Sequence, residues 1–375
     1  MILPLTSYEE IKEKSVYGRY LSHRMVAKYL ESIKQDFDIK EVGFSVQQKN
    51  IHTITLGTGK TKILMWSQMH GNESTTTKAV FDFINFLRTD AESAQQIVEN
   101  CTVKIIPMLN PDGADAYTRV NANEVDLNRD AQNRTQPESI ILRKVYEEFL
   151  PHFCFNLHDQ RTIFNVGDTS KPATVSFLAP AYNEERSISP SRAMSMKLIV
   201  AMNDTLQKLI PNHVGRYDDS FNANCVGDTF QMLNTPTILF ESGHYPNDYE
   251  REETRRYIFQ ALLKGVSVIS EDKVNQFDLE IYQQIPENQK LYLDILLKNV
   301  QSLTGVGSAL NSCAFHFKET LIDGKIEFVP ELQEEVDLKN FYFHAIYDCA
   351  VKSDLQALKS QNFYPVISSC FQSLS

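Results

Sequence analysis

The chain has 375 residues, 42% of them hydrophobic, six cysteines and a formal net charge of −11. That length exceeds the usual single-core range, so one large unit with a smaller appendage is expected. The acidic balance excludes the basic face that nucleic acid requires, and there is no apolar run long enough for a membrane helix. The segment Met1 to Glu10 lacks the basic-then-apolar pattern of a secretory signal. Cys101, Cys154, Cys225, Cys313, Cys349 and Cys370 are scattered through mostly apolar surroundings, which suits buried free thiols and a cytoplasmic location.

In chain order, Ser7 to about Ile33 carries periodic apolar residues and predicts a helix. Glu41 to Leu56 alternates as two strands around a turn at Lys49-Asn50, and Ile63 to Trp66 predicts a buried strand. His70-Gly-Asn-Glu73 follows directly. A histidine and a carboxylate three residues apart can reach one small cation if the chain turns at Gly71, and one more nitrogen would complete a catalytic zinc site. Alone, such a pair also fits an exposed helix start. Val80, Phe83, Ile84 and Leu87 mark Thr75 to Leu87 as a helix.

Val103 to Leu109 predicts a second buried strand, ending in Asn110-Pro111-Asp112-Gly113, which reads as a turn. A loop then carries Arg119 and Val125 to Asp130. Helices are predicted near Glu138–Leu150, Ser191–Leu209 and Tyr249–Ile269. Between them, Phe153 to Leu157 delivers His158-Asp159, and Thr237 to Phe240 delivers Glu241-Ser242-Gly243. Strands alternating with helices predict an α/β three-layer sandwich with a mixed, largely parallel central sheet. In such sheets the ligand crevice lies at the carboxyl ends of the strands, so these four strand ends are expected to converge.

Beyond Asp272 the pattern changes. Lys290 to Val300 is amphipathic and reads as a helix, and Ala314 to Ile322 and Lys325 to Val329 flank Asp323-Gly324, a strong hairpin signal. Phe341 to Tyr347 supplies a further strand. The expected division is a catalytic unit over residues 1–274 and a small C-terminal α+β appendage over 275–375 without catalytic residues. His316 and His344 read as residues on strand faces.

Taken together, His70-x-x-Glu73, Asn110-Pro-Asp-Gly113, Arg119 with Asn121-Ala-Asn123, Val125-Asp-Leu-Asn-Arg129, Leu157-His158 and Phe240-Glu241 resemble the zinc carboxypeptidases, the carboxypeptidase A-like metallopeptidases. The resemblance covers about residues 40 to 265 and is closer to the bacterial amidase-like members than to the pancreatic ones. It implies one zinc ion per chain held by His70, Glu73 and His158, with Glu241 as general base. It further implies that Arg119 stabilises the oxyanion and that Asn128 and Arg129 grip the substrate's terminal carboxylate. Tyr217 is the candidate for the tyrosine that covers the substrate. Asp228 lies near where family members place specificity determinants, and there it would select a basic or amine-bearing group.

Each residue has a plainer reading. His158 fits a strand-end histidine, Glu241 a cap for the helix entered at Asn247–Glu250, Asn128 and Arg129 a loop amide and a surface ion pair, and Asp228 a helix cap. His244 reads as a residue behind the site or on the surface. Asn72 departs from the pancreatic pattern, which has a substrate-touching arginine there, and His-Gly-Asn-Glu is also the wording of the aspartoacylase and desuccinylase branch. Three functions follow: hydrolysis of an amide beside a free carboxylate in a peptide, deacylation of an N-acyl amino acid, or peptide binding by an inactive relative. The oligomeric state is not specified by the sequence.

Overall fold

The computed structural model describes residues 2–304, 311–333 and 337–372. The first sheet is built from β1 (Asp38–Phe44), β2 (Asn50–Leu56), β3 (Thr61–Ser67), β4 (Cys101–Ile106) and β5 (Phe153–Asp159). After a two-residue β6 (Asn165–Val166), it is completed by β7 (Val175–Leu178), β8 (Val214–Arg216) and β9 (Thr237–Ser242). The eight strands lie in the order β1-β2-β4-β3-β5-β9-β7-β8. β4, β3, β5 and β9 pair in parallel at its centre, while β1, β2 and β7 add antiparallel pairs. The expected mixed, largely parallel sheet is therefore observed.

β3, β5 and β9 read as apolar runs because both of their faces are covered, whereas Thr102 and Lys104 leave one face of β4 half-exposed. Along β3, Ile63 and Met65 join one core and Leu64 and Trp66 the other. The first core packs under α1 (Leu5–Ile11), α2 (His23–Ile33), α3 (Thr75–Leu87), α4 (Glu92–Asn100), and later helices of the same layer. After α5 (Pro111–Ala116), the second core lies under α6 (Pro137–Phe149); α7 (Pro190–Leu206) belongs to the first layer, α8 (Val226–Met232) to the second, and α9 (Glu252–Ser270) to the first.

Three expectations need correcting here. The N-terminal helix is two helices, because the chain between them turns at Gly18, whose φ is +70°. Asn110-Pro-Asp-Gly113 opens α5 and is not a free turn: Asn110 is the N-cap, its Oδ1 accepting from Gly113 N–H at 2.8 Å, with proline in the first turn. Asp248 caps α9, accepting from the N–H groups of Glu252 and Thr254, so Glu241 is free of that task.

Residues after 274 do not leave the large unit at once. Val274, Tyr282 and Ile285 are buried in its first core, and the short strand β10 (Asn288–Gln289) pairs with β6. The second sheet begins at β11 (Tyr292–Lys298), followed by β12 (Ser312–Ile322), β13 (Lys325–Gln333) and β14 (Tyr342–Asp348), in the order β13-β12-β11-β14. The expected hairpin forms, with Asp323 and Gly324 both at positive φ. The helix expected over 290–300 is the strand β11; it is central in its sheet and buried along most of its length, which removes the alternation that marks a strand. Helices Lys352–Lys359 and Tyr364–Gln372 cover this sheet around Leu297, Phe315, Leu358 and Ile367.

The two sheets share a polar seam. Asp294 of β11, almost fully buried, accepts from Tyr249 Oη at 2.8 Å and from Phe317 N–H at 2.9 Å. His344 packs flat on Tyr292 and against His244. His244 is therefore neither a surface residue nor a metal ligand but part of this seam. Among the described residues no helix is long and apolar enough to cross a membrane.

Candidate metal centre

The parallel register sets Leu157 of β5 beside Ser67 of β3, and His158 beside Glu241 of β9, so the groups that follow arrive at one sheet edge. His70 and Glu73 come from the loop between β3 and α3. A Cβ on Gly71 would meet the backbone of Gly113 at 1.9 Å, so glycine there allows that loop to lie against the start of α5. Asp159 fixes the other side. Its carboxylate accepts from Thr75 N–H at 2.9 Å, Thr76 N–H at 3.3 Å and Ser242 Oγ at 2.6 Å, tying β5, β9 and the first turn of α3 together.

The donors converge. His70 Nδ1 and His158 Nδ1 are 3.1 Å apart, and each lies 2.8 Å from one oxygen of Glu73. Their ligand atoms all fall within 4.8 Å of one another, and all three residues are buried. His70 Nε2 sits 3.0 Å from Asp126 Oδ1. That carboxylate holds the proton on Nε2 and so turns the Nδ1 lone pair toward Glu73 and His158. Lone pairs crowded around one point suit a cation better than any shared proton, and two imidazoles with a carboxylate suit one zinc ion. Burial works against the charge of Glu73, yet the two imidazoles hold its carboxyl far below the usual range. Burial holds His158 below its ordinary value, which keeps it in the ligating neutral form.

Glu241 stands beside this set. It is nearly buried and its Oε2 has no hydrogen-bond partner among the described residues. Burial pushes its carboxyl well above the ordinary value, with Glu73 and Asp159 adding to the effect and Arg119 and Arg251 opposing it. Arg119 is half-exposed, its Nη1 3.3 Å from Glu73 Oε1 and its Nε and Nη2 each 3.1 Å from Asp126 Oδ2.

Asn128 and Arg129 lie on a single 3-10 turn, Leu127–Arg129, capped by Asp126. Asn128 Oδ1 accepts from Val226 N–H at 3.0 Å, which leaves its amide nitrogen for the cavity. Arg129 Nη1 donates to Asn128 O at 2.8 Å and lies 3.0 Å from Cys225 Sγ. Asp228 is in the first turn of α8 but is not its N-cap, and its Oδ1 receives only a long 3.5 Å approach from Asn222 N–H. Tyr217 packs against Phe164, and burial followed by Glu241 and Glu73 raises its hydroxyl.

All nine of the residues singled out from the sequence, His70, Glu73, Arg119, Asn128, Arg129, His158, Tyr217, Asp228 and Glu241, line one cavity of about 880 Å³. Several contributors to the site lie outside the residues singled out from the sequence. Asp126 sits inside the Val-Asp-Leu-Asn-Arg run, so its position was visible but its link to His70 was not. Arg19 had no local signal at all. The second sheet also supplies His316, Lys318, Glu319, Glu331 and Gln333 to the wall, so the C-terminal part borders the cavity.

Replacing Asp126 by alanine removes both the orienting partner of His70 and the anchor of Arg119. The expected outcome is a 10- to 100-fold loss of zinc affinity, read by competition with a chelating dye. Zinc affinity unchanged in that variant would show that the histidine needs no such support.

His70, Glu73 and His158 thus form a buried two-histidine, one-carboxylate centre, a donor set for one zinc ion, at the carboxyl edge of a mixed α/β sheet. Residues 24–153, about a third of the chain, match the family model described as zinc carboxypeptidase, in line with the resemblance read from the sequence. A probable carboxypeptidase 2 of Arthroderma benhamiae is 26% identical over 113 residues, 30% of this chain and 21% of that protein. The chain thus spans about a fifth of that curated relative. Among solved structures, a metallo-carboxypeptidase from Burkholderia cenocepacia aligns with a TM-score of 0.54 at 17% identity, over 68% of this chain and 70% of its own. A metallo-carboxypeptidase from Pseudomonas aeruginosa, in complex with (2-guanidinoethylmercapto)succinic acid, aligns with a TM-score of 0.55 at 16% identity over the same shares. These two likenesses establish the fold.

Proposed function

We propose that the protein hydrolyses an amide or peptide bond next to a free C-terminal carboxylate. The observation that carries this reading is the placement of Glu241: a buried carboxyl with an unpartnered oxygen, beside three convergent metal donors, in a cavity that also holds Asn128 and Arg129. Zinc bound here supplies a Lewis acid for the scissile carbonyl and lowers the pKa of water to about 7. Glu241 takes the proton of the attacking water and returns it to the leaving amine. Arg119 donates to the oxygen on which negative charge develops. Asn128 and Arg129 hold the terminal carboxylate, and the planar guanidinium gives paired, charge-assisted hydrogen bonds. Tyr217 closes over the bound residue.

The test is hydrolysis by the zinc-loaded chain of matched peptides with free and amidated C-termini. Cleavage restricted to the free form supports the proposal. Release of amino acids from N-acyl amino acids alone favours the deacylase reading, and zinc binding without any hydrolysis favours a binding protein.

Asp228 sets the preference for the terminal side chain in this reading. Burial pushes its carboxyl up to about 7. Its charged form therefore grows between pH 6 and pH 8, where a lysine side chain stays protonated throughout. The expected result is that the ratio of kcat/KM for C-terminal lysine over norleucine rises several-fold across this interval. In Asp228→Asn the ratio should fall about tenfold at pH 8 and lose its pH dependence. A ratio unmoved by either change removes Asp228 from the specificity pocket.

A further inference from the structure

Polar atoms that are buried without a partner gather around the cavity. Besides Glu241 Oε2, they include His158 Nε2, Asn72 Oδ1, Asn156 Oδ1, and both Nε and Nη1 of Arg19. Arg19 is the unexpected member. It lies between α1 and α2, just after the positive-φ Gly18, whose carbonyl accepts from the buried Lys78. Its own carbonyl accepts from Ser74 Oγ at 2.5 Å, next to the metal-donor Glu73. The backbone at Arg19 is thus built into the site.

The side chain of Arg19 is 4% exposed, and only Nη2 is paired, with Glu319 at 3.0 Å. Glu319 belongs to β12 and also accepts from the hydroxyl of Tyr117. One carboxylate of the second sheet therefore holds one corner of the guanidinium and leaves two nitrogens facing no acceptor. Unpaired buried donors on a cation are costly, so a group that completes them on binding gains affinity. Arg129 is reached from the metal donors through His70, Asp126 and Asn128, whereas Arg19 is reached through Glu73 and Ser74. The Arg19 side chain is set against the second sheet through Glu319, and that of Arg129 against Cys225 before α8.

We propose that Arg19, held by Glu319, binds an oxygen acceptor in the acyl portion of the substrate, on the other side of the scissile bond from the carboxylate held by Arg129. This rests on the reading of the cavity as the substrate site. The acceptor is either a side-chain carboxylate or a backbone carbonyl. The second sheet thereby takes part in selecting substrates, because Glu319 sets the position of the guanidinium.

The test is calorimetric binding of N-acetyl-glutamyl-lysine and N-acetyl-glutaminyl-lysine to the zinc-loaded Glu241→Gln chain, with Arg19 present or changed to methionine. Arg19→Met is expected to weaken binding at least tenfold while zinc content and melting temperature are kept. A loss confined to the glutamyl probe identifies a side-chain carboxylate as the occupant, and an equal loss for both identifies a backbone carbonyl. Unchanged affinities, or no binding of either probe to the Arg19 chain, overturn the proposal. Glu319→Gln is expected to weaken the same probe or probes, by less than Arg19→Met does, because it loosens the guanidinium without removing it; a larger loss than in Arg19→Met overturns the proposal, since Arg19 would then be only a latch between the sheets. Should Arg19→Met fail to fold, Arg19→Lys keeps the charge beside Glu319 without the guanidinium donors and carries the same expectations. If the unmodified enzyme cleaves neither probe while Arg19→Met still weakens binding, the hydrolytic reading fails and the assignment of Arg19 stands.

Discussion

Glu241→Gln is expected to lower kcat by about 10²- to 10⁴-fold while the chain still binds one zinc ion. The substitution keeps size and shape but removes the ability to take a proton. Glu241 is not one of the three convergent donors, so the metal should remain. Its Oε2 makes no hydrogen bond that the amide would break, which makes the change a clean one for the fold. The measurement pairs steady-state kinetics on the cleaved peptide with zinc content per chain. A kcat within threefold of the parent, at full zinc loading, would remove Glu241 from the mechanism and with it the proposed reaction.

The largest expected loss of stability lies away from the site. Arg255 of α9 and Asp82 of α3 are both fully buried, joined by Nε to Oδ2 at 2.7 Å and Nη2 to Oδ1 at 2.6 Å. Tyr8 Oη donates to the same carboxylate at 2.7 Å, and Arg255 also donates to the carbonyls of Val16 and Glu13. Burial raises the Asp82 carboxyl, with Arg255 pulling the other way. Arg255→Met strands that carboxylate and frees the carbonyls of the N-terminal segment, so a loss of about 3–5 kcal/mol is expected. Changing both partners to apolar residues of similar size should recover much of it. Urea unfolding of the single and double variants decides the matter. A loss below about 1 kcal/mol in Arg255→Met would show that water replaces the partner.

The parts of the molecule that were legible in the sequence share a cause. β3, β5 and β9 are buried along most or all of their length, so each appears as an apolar run that ends where polar residues begin, while β4 keeps a half-exposed face at Thr102 and Lys104. The same physics misled at β11. Tyr292 to Leu297 are all buried in a central strand, so the alternation that marks a strand is missing there. Turn chemistry misled at Asn110-Pro111, where the same two residues serve as well to start a helix. The metal donors were readable because a histidine and a carboxylate at strand ends are unusual company. Asp126 and Asp159 were not, since each acts by a hydrogen bond whose partner lies far along the chain. Arg19 meets Glu319 across nearly the whole sequence, a contact no local pattern records.

The spread of the donors also governs when the centre can come into being. His70 and His158 are 88 positions apart, and the strand that carries Glu241 is made later still. A nascent chain that has emerged only as far as α3 offers one histidine and one carboxylate, a pair too weak to retain an ion against cellular competitors. Metal loading is thus a late event of biogenesis, following docking of β5 against β3, and apoprotein purified from zinc-starved cells should already possess the assembled sheet.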